Sequence, residues 1–404
     1  MQQSLIGGNG GDLLNNAATE YNTLVGRVAW NATEDNQKQM IASTGKLRYL
    51  MVWQDGDEGG AGKQWIYTVM KNGAPTALVV TLTNLETQGT SGAIEIDVAP
   101  GDVVSLRATS VNAPTNRRAC WSCQFKGSVA SNGGLFMVHS SCAGAGPHYY
   151  VPHGATGPGT EYTWRCPISG TISNMYVWLS VSPGVAPDAY VFTLRKNGVD
   201  TALTVTITAP ATTGSDTVNS VAFNAGDTIS IKVQGLNVPA NNPQVALGLK
   251  MIPTTNGESI AAFQSAGSLS VTNTYHNVSA ASSTWLAAAL EYACYQLTSA
   301  TELRNLYVDL SVAPGAGTSW QFHIRDNLVN TALTTTIANL ATSNNDVVNR
   351  VAVANGHVVT IGATEVGATV SPSVYFSFGQ YITPPVEPKG GSNIAAKMVA
   401  AGIL

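Results

Sequence analysis

Residues 190–207 read YVFTLRKNGVDTALTVTI, and the chain repeats this stretch as WIYTVMKNGAPTALVVTL at 65–82 and as WQFHIRDNLVNTALTTTI at 320–337. In each copy large apolar residues alternate with polar or small ones, which is the period of strands with one buried face. The Asn-Gly step between the two halves is typical of a hairpin turn. The copies begin 125 and then 130 residues apart, so a unit of domain size is repeated in tandem.

A second element follows each hairpin in register. Gly101-Asp102, Gly226-Asp227 and Gly356-His357 each open a strand. Alternation predicts that the inner face of this strand carries an apolar residue at every second position. The predicted core positions are Val104, Leu106 and Ala108; Ile229, Ile231 and Val233; and Val359, Ile361 and Ala363.

Composition is typical of a turn-rich all-β protein. Charged residues make up only 11% of the chain, and there are 40 glycines. Each copy contains about seven to nine alternating runs, and its length is sufficient to bury a core. The Cys…Trp…Cys pattern of immunoglobulin domains is absent, which favours the jelly roll. The predicted fold is therefore three tandem jelly-roll-like antiparallel β-sandwich domains followed by a short C-terminal tail.

The repeats predict four segments along the chain. Residues 1–127 form the first sandwich with an N-terminal arm, 128–256 the second and 257–384 the third, and 385–404 form a Pro/Gly linker and tail. Short junctions predict domains stacked in a row with restricted hinges. The last residues, IAAKMVAAGIL, have the composition of a small helix. So short a helix either frays or docks on a partner, and its apolar residues favour docking.

Charge and hydropathy exclude several classes of partner. The net charge is −4, which gives no electrostatic footprint for nucleic acid or an anionic membrane. No apolar run approaches the roughly 18–20 residues that would span a bilayer. The first residues lack the features of a secretory signal, and five cysteines are too few for a disulfide scaffold. We expect a protein that is made and folded in a cytoplasm.

An acidic turn is the first metal candidate. Asp55, Asp57 and Glu58 could supply carboxylate oxygens to calcium from one tight turn. The equivalent turns of the other copies, Ser182-Pro-Gly and Ala313-Pro-Gly, contain no acids. This difference favours an acidic surface turn over a calcium site.

Cys120, Cys123, His139 and Cys142 resemble a zinc-ligand set. The two nearest cysteines fall on what the other copies show to be a strand, where residues three apart face opposite ways. Cys123 also occupies the position of Leu249, which is a predicted core site. Buried free cysteines are therefore favoured over zinc.

His139, His148 and His153 crowd the start of the second copy, where they could line a metal or sugar site or belong to an interface, and the interface is favoured. The chain has no G-x-S-x-G elbow and no carboxylate pair repeated in register. We therefore predict a non-enzymatic protein without a cofactor. Four aromatic residues are favoured as core over a stacking platform for sugars: Trp53, Trp65, Trp178 and Trp320.

The succession of a strand, K-N-G-x-x-T-A-L, a second strand and x-A-G-D-x-I-S-I resembles a jelly-roll element of bacteriophage structural proteins. More distantly, it is similar to tumour-necrosis-factor-like trimeric heads. The resemblance covers residues 60–110, 185–235 and 315–365, and the third copy departs from it at Leu328 and His357. It implies a virion protein, such as a capsid decoration, head fibre or tail-associated fibre, which is often homotrimeric. No catalytic residues come with it.

The leading hypothesis is a structural protein of a virion or extracellular surface appendage, assembled in the host cytoplasm. Its expected partners are further copies of itself, with a trimer favoured, and other virion or appendage proteins. A terminal arm, either 385–404 or 1–20, would anchor it. The alternative is an adhesin or receptor-binding fibre that recognises host surface glycans. A polysaccharide-degrading enzyme ranks third.

Overall fold

The computed structural model describes residues 2–8, 12–26, 29–128, 133–142, 144, 146–151, 154–158, 161, 163–265, 268–270, 274–278, 281–283, 285, 301–354, 357–367 and 370–382. Within these residues the regular elements are β-strands and one short 3-10 helix, Glu34–Gln37. Each of the six sheets draws all its strands from one repeat. The predicted tail and the apolar stretch 286–295 lie outside the described residues.

The first domain contains β1 (Gln2–Gly8), β2 (Glu20–Asn22), β3 (Gln39–Met40), β4 (Gly45–Gln54), β5 (Gln64–Lys71), β6 (Ala74–Thr83), β7 (Gln88–Thr90), β8 (Glu95–Val98), β9 (Val103–Val111) and β10 (Ala119–Gly127). One sheet has the order β1-β10-β4-β7, with β8 also paired to β4. The other has the order β2-β9-β5-β6, with β3 also paired to β9. Two sheets with these strand orders form a jelly roll.

The second domain contains β11 (Gly134–Ser141), β12 (His148–Val151), β13 (Gly154–Pro158), β14 (Trp164–Arg165), β15 (Gly170–Leu179), β16 (Ala189–Lys196), β17 (Val199–Thr208), β18 (Thr213–Phe223), β19 (Thr228–Leu236) and β20 (Gln244–Pro253). Its sheets have the orders β11-β20-β15-β18 and β13-β12-β19-β16-β17, with β14 also paired to β19. The jelly-roll order of the first domain is repeated.

The third domain contains β21 (Glu258–Ser265), β22 (Tyr275–Asn277), β23 (Ala281–Ser283), β24 (Thr301–Leu310), β25 (Gly315–Asp326), β26 (Val329–Asn339), β27 (Ser343–Val353), β28 (Val359–Val366) and β29 (Val374–Tyr381). Its sheets have the orders β23-β21-β29-β24-β27 and β22-β28-β25-β26. Apart from the parallel pair β21–β23, the strands pair antiparallel. The predicted fold class is confirmed.

The repeated stretch forms the hairpins β5–β6, β16–β17 and β25–β26. At each tip Asn72, Asn197 or Asn327 adopts a positive φ, and its side-chain oxygen accepts a hydrogen bond from the backbone of the next repeated strand. This contact explains why the two motifs recur together. Leu328 stands where the other tips have glycine and adopts a φ of 68°, so the hairpin forms in spite of the departure.

The predicted core positions of β9, β19 and β28 are all buried, as the alternation required. They lie between the two sheets of their domains, within three clusters of buried apolar residues. The register of the repeat therefore carries the core of each sandwich.

Thr335 is a polar exception in the core of the third domain. It is 95% buried and its hydroxyl has no partner among the described residues, whereas Val80 and Val205 occupy the same position in the other hairpins. Burying an unpaired hydroxyl is unfavourable, so Thr335→Val should raise the free energy of unfolding by roughly 1 kcal/mol. Chemical denaturation measures this change. The matched control is Thr334→Val, which removes a hydroxyl that donates to the carbonyl of Phe322 and should destabilise the protein.

The three domains pack against one another in a cycle. Leu135 and Met137 of β11 belong to the core cluster of the first domain. Ile260 and Ala262 of β21 belong to that of the second domain. Ile6 of β1 belongs to that of the third domain. The first strand of every domain therefore buries its outer face on a neighbour, and three such interfaces close a ring with pseudo-threefold symmetry.

A second contact occurs at two of the three interfaces within the described residues. Residues 38–42 of the first domain lie on the outer face of the second, where a side-chain carbon on Gly248 would come within 2.3 Å of the Met40 carbonyl oxygen. Residues 165–168 lie in the same way on the third domain. There Arg165 pairs with Asp309 at 2.9 Å, and Ser377 donates to the Arg165 carbonyl at 2.5 Å. The row of domains expected from the junctions is thus a ring instead.

All connections between domains lie at the same end of each sandwich. At this end the tip of the repeated hairpin lies near the end of another strand, β8 in the first domain and β18 in the second. Lys71 donates a hydrogen bond to the Asp97 carbonyl, and Lys196 donates one to the Ala222 carbonyl. Gly127 and Gly134 flank one junction at this end, and Pro253 and Glu258 flank the other. Because a residue spans at most about 3.5 Å, junctions this short hold the three ends together. We call this side of the ring the joined face and the opposite side the open face.

The N-terminal residues are part of the ring and not a free arm over residues 2–8. Strand β1 pairs with β10, and the side-chain amide of Gln3 exchanges hydrogen bonds with the backbone of Leu135 in the second domain. Gly7 on the same strand is required for packing. A side-chain carbon there would lie 2.1 Å from the indole nitrogen of Trp121.

Candidate functional site

The acidic turn between β4 and β5 lies on the open face of the first domain. Asp55 accepts a hydrogen bond from the guanidinium of Arg118 at 3.0 Å, and Asp57 pairs with Arg117 at 3.5 Å. Glu58 points inward and is fully buried. Among the described residues no group of three or more His, Cys, Asp or Glu side chains could hold a metal ion. The calcium hypothesis for these three carboxylates gains no support from this geometry.

Glu58 is the most unusual titratable group of the turn. Its backbone is fixed by two hydrogen bonds, from its own N–H to the carbonyl of Asn84 and from the N–H of Thr115 to its carbonyl. Neither carboxylate oxygen has a partner among the described residues. Burial raises its pKa to about 8, and the nearby guanidinium of Arg117 opposes this shift only in part. The side chain is therefore a neutral acid at neutral pH.

Two further polar side chains lie in the core of the first domain. The fully buried Gln54 donates from its amide to the hydroxyl of Tyr67, and burial raises the pKa of Tyr67. The electrostatic influence of Glu58 on Tyr67 shows that the two groups are neighbours. A comparison of the three repeats could have identified Gln54 and Tyr67 as unusual core residues. The second and third domains have buried apolar residues at the equivalent positions: Leu179 and Leu310 for Gln54, and Phe192 and Phe322 for Tyr67.

The cysteines of the zinc hypothesis are buried and lie apart. Cys123 belongs to the core of its own domain, as predicted, and burial raises its pKa. Cys120 faces the opposite way and belongs to the core cluster of the third domain. Cys142 belongs to that of the second domain, and burial raises its pKa to about 12. Burial of this kind describes inert structural thiols.

The histidines also belong to packing surfaces. His139 contacts the first domain through its Nδ1, which lies 3.2 Å from the carbonyl oxygen of Lys38, and burial lowers its pKa to about 4. This confirms the predicted interface for His139. His148 is buried on β12, and His153 lies outside the described residues.

The four tryptophans offer no platform for sugars. Trp65 and Trp320 are fully buried in their own domains. Trp53 packs on the core of the third domain, and Trp178 lies under the ammonium group of Lys38 at 4.8 Å. The core prediction is therefore confirmed for Trp65 and Trp320. Trp53 and Trp178 instead lie at contacts between domains.

The two faces of the ring differ in chemistry. On the joined face a side chain beside each hairpin tip contacts the next turn. In the first two domains the contact is a salt bridge, Lys71–Asp102 or Lys196–Asp227, and in the third the imidazole of His357 lies 2.8 Å from the carboxylate of Asp326. The order of the pair is reversed in the third domain, which accounts for the departure at His357. On the open face all three domains expose aliphatic side chains, with Leu85 75% exposed and Val185 and Leu340 each 80% exposed.

No model of a known protein family matches the chain, and no curated protein is significantly similar to it. Within the described residues no helix is both long and apolar enough to cross a membrane.

Proposed function

We propose that the chain is a non-enzymatic structural protein of a virion or an extracellular surface appendage, such as a capsid decoration, head fibre or tail-associated fibre. The observation that supports this proposal is the closed ring of three jelly rolls. The trimeric heads that the motifs resemble are built from three chains, and this chain supplies three equivalent domains by itself. Three domains joined by three interfaces in a closed ring form a compact body, which suits a structural role that requires no chemical reaction.

Labelling of particles tests this function. Antibodies against the chain should decorate purified virions or appendages from the source in electron micrographs, and protease mapping should find the protein in the particle fraction. Deleting 385–404 should abolish incorporation and leave the melting temperature of the ring unchanged if the tail is the anchor. Recovery of the intact chain only from the soluble cytoplasmic fraction would reject the structural role.

A receptor- or glycan-binding fibre is the second candidate. It is favoured by the open face, whose loops differ between the domains and expose Val185, Val238 and Leu340. A glycan array with the purified protein distinguishes the two candidates. A purely structural role predicts no specific hits, whereas an adhesin should bind a defined group of glycans. A homotrimer of chains is implied by the resemblance alone, and contacts with other virion proteins remain a prediction.

A further inference from the structure

The joined face presents nearly the same surface three times. Its most prominent parts are the hairpin tips, at 72–75, 197–200 and 327–330, and all the residues of these tips are exposed. The tip asparagines share their backbone conformation, with φ values of 53°, 52° and 45°. The backbone outline of the surface is therefore repeated even where side chains differ.

The tips are held rigidly enough to act as contact points. Asn72 donates from its amide to Asp102 at 2.8 Å, and Asn197 donates to Asp227 at the same distance. In the third domain the backbone N–H of Val358 donates to the side-chain oxygen of Asn327 at 3.0 Å. Each tip is thus tied to the adjacent turn, so little conformational freedom would be lost when it binds a partner.

The open face is less regular than the joined face. A turn with two positive φ values does recur there, at Asn112-Ala113 and Asn237-Val238. However, the first domain has the acidic turn with its two arginine partners, and the second domain has a loop that includes Val185. Val238 adopts a φ of 57°, which is unfavourable for a β-branched residue. A partner with three equal binding positions would meet three different surfaces here, but three similar surfaces on the joined face.

Symmetry then determines the kind of partner that suits the joined face. A threefold-symmetric assembly offers three identical positions around its axis. A single chain with three similar contact points can occupy all of them at once, and linked contacts strengthen one another by their high effective concentration. A partner without threefold symmetry would bind one tip and would not gain the affinity that linked contacts provide.

We infer that one copy of the chain sits on a threefold axis of a homotrimeric protein assembly, with its joined face against that assembly. The inference rests on the proposed structural function and specifies its partner and stoichiometry. Residues that continue beyond 382 leave from this face, because Tyr381 pairs with Glu258 at the joined end of the third domain. The partner surface meets the hairpin tips, which expose aliphatic side chains at Val199, Leu328 and Val329 and a carboxylate at Asp200.

A matched pair of substitutions identifies the docking face. Val199 on a joined-face tip is 66% exposed, and Val238 on the open face of the same domain is 74% exposed. Val199→Asp should lower the amount of the chain on purified particles at least tenfold, whereas Val238→Asp should leave it unchanged. Neither variant should lower the melting temperature, which shows that the change lies in docking.

Copy number provides the second readout. Mass measurement in solution should give a single chain of 42.1 kDa. Cryo-electron microscopy of the particles should show one three-lobed body on each occupied threefold axis. Three chains on an axis, or loss of incorporation in Val238→Asp but not in Val199→Asp, would overturn the inference and leave the structural function intact. Absence of the chain from particles would instead reject the proposed function itself.

Discussion

Replacing Gly248 by valine is expected to open the ring between the first and second domains. Strand β20 faces residues 40–42 of the first domain, and a side-chain carbon at position 248 would lie 2.3 Å from the carbonyl oxygen of Met40 and 3.4 Å from the Cβ of Ala42. The nearest obstacle is backbone, which cannot rotate away as a flexible side chain would. Overpacking of this kind costs about 1–3 kcal/mol and occasionally more.

The damage should be confined to this contact. Position 248 lies on the outer face of its sheet, so the core of the second domain keeps its packing. We expect a lower melting temperature, a larger radius of gyration in solution scattering and faster proteolysis at the junction 128–133. Gly146→Val is the control, because a side-chain carbon there would meet nothing within 4 Å and the residue does not have a positive φ. An unchanged radius for Gly248→Val would contradict the described interface.

The sandwiches could be predicted from the sequence because their signals are local. Alternation in β16 and β17, the Asn-Gly turn and the periodic core of β19 all act over a few residues and occur three times. Comparing the chain with itself then separated the residues that carry the core from those of one copy. Cys123 was assigned to the core in this way, and it is fully buried.

The ring could not be predicted in the same way, because its contacts use outward-facing positions of ordinary strands. Leu135, Phe136, Met137 and Val138 form a continuous apolar run, which indicates burial on both faces. The sequence does not show that one of these faces is covered by another domain. Three equivalent strands facing three different neighbours can be recognised only when the domains are placed together.

The burial of Glu58 could not be predicted either, because it also depends on contacts between residues that are distant in sequence. An acidic turn with adjacent glycines is typical of a solvated loop, and Asp55 and Asp57 follow that expectation in pairing with arginines near the surface. The inward direction of Glu58 results from backbone hydrogen bonds to Asn84 and Thr115, which are distant in sequence. Local composition therefore predicted the surface position of Asp55 and Asp57 correctly, but the prediction of a surface position for Glu58 was wrong.

The buried Glu58 should make the stability of the protein fall as pH rises. The carboxyl has a pKa of about 8 in the folded chain, against an ordinary value of 4.5. Below pH 4.5 it is protonated in both the folded and the unfolded state. Between these two values the unfolded chain releases a proton that the folded chain retains, so the free energy of unfolding decreases with pH. The slope is at most about 1.4 kcal/mol per pH unit.

Glu58→Gln should remove this slope, because the amide does not ionise in that range. The quantity to compare is the difference in melting temperature between variant and wild type, which should shift in favour of the variant as the pH is raised from 5 to 9. The charged groups that act on Glu58 are Arg117, Asp57 and Glu86. Asp97→Asn is the control for a general effect of net charge, since it removes one exposed negative charge that is not among the groups acting on Glu58. Parallel pH profiles for wild type and Glu58→Gln would show that Glu58 is ionised in the folded protein, and the assignment of a neutral buried acid would then be wrong.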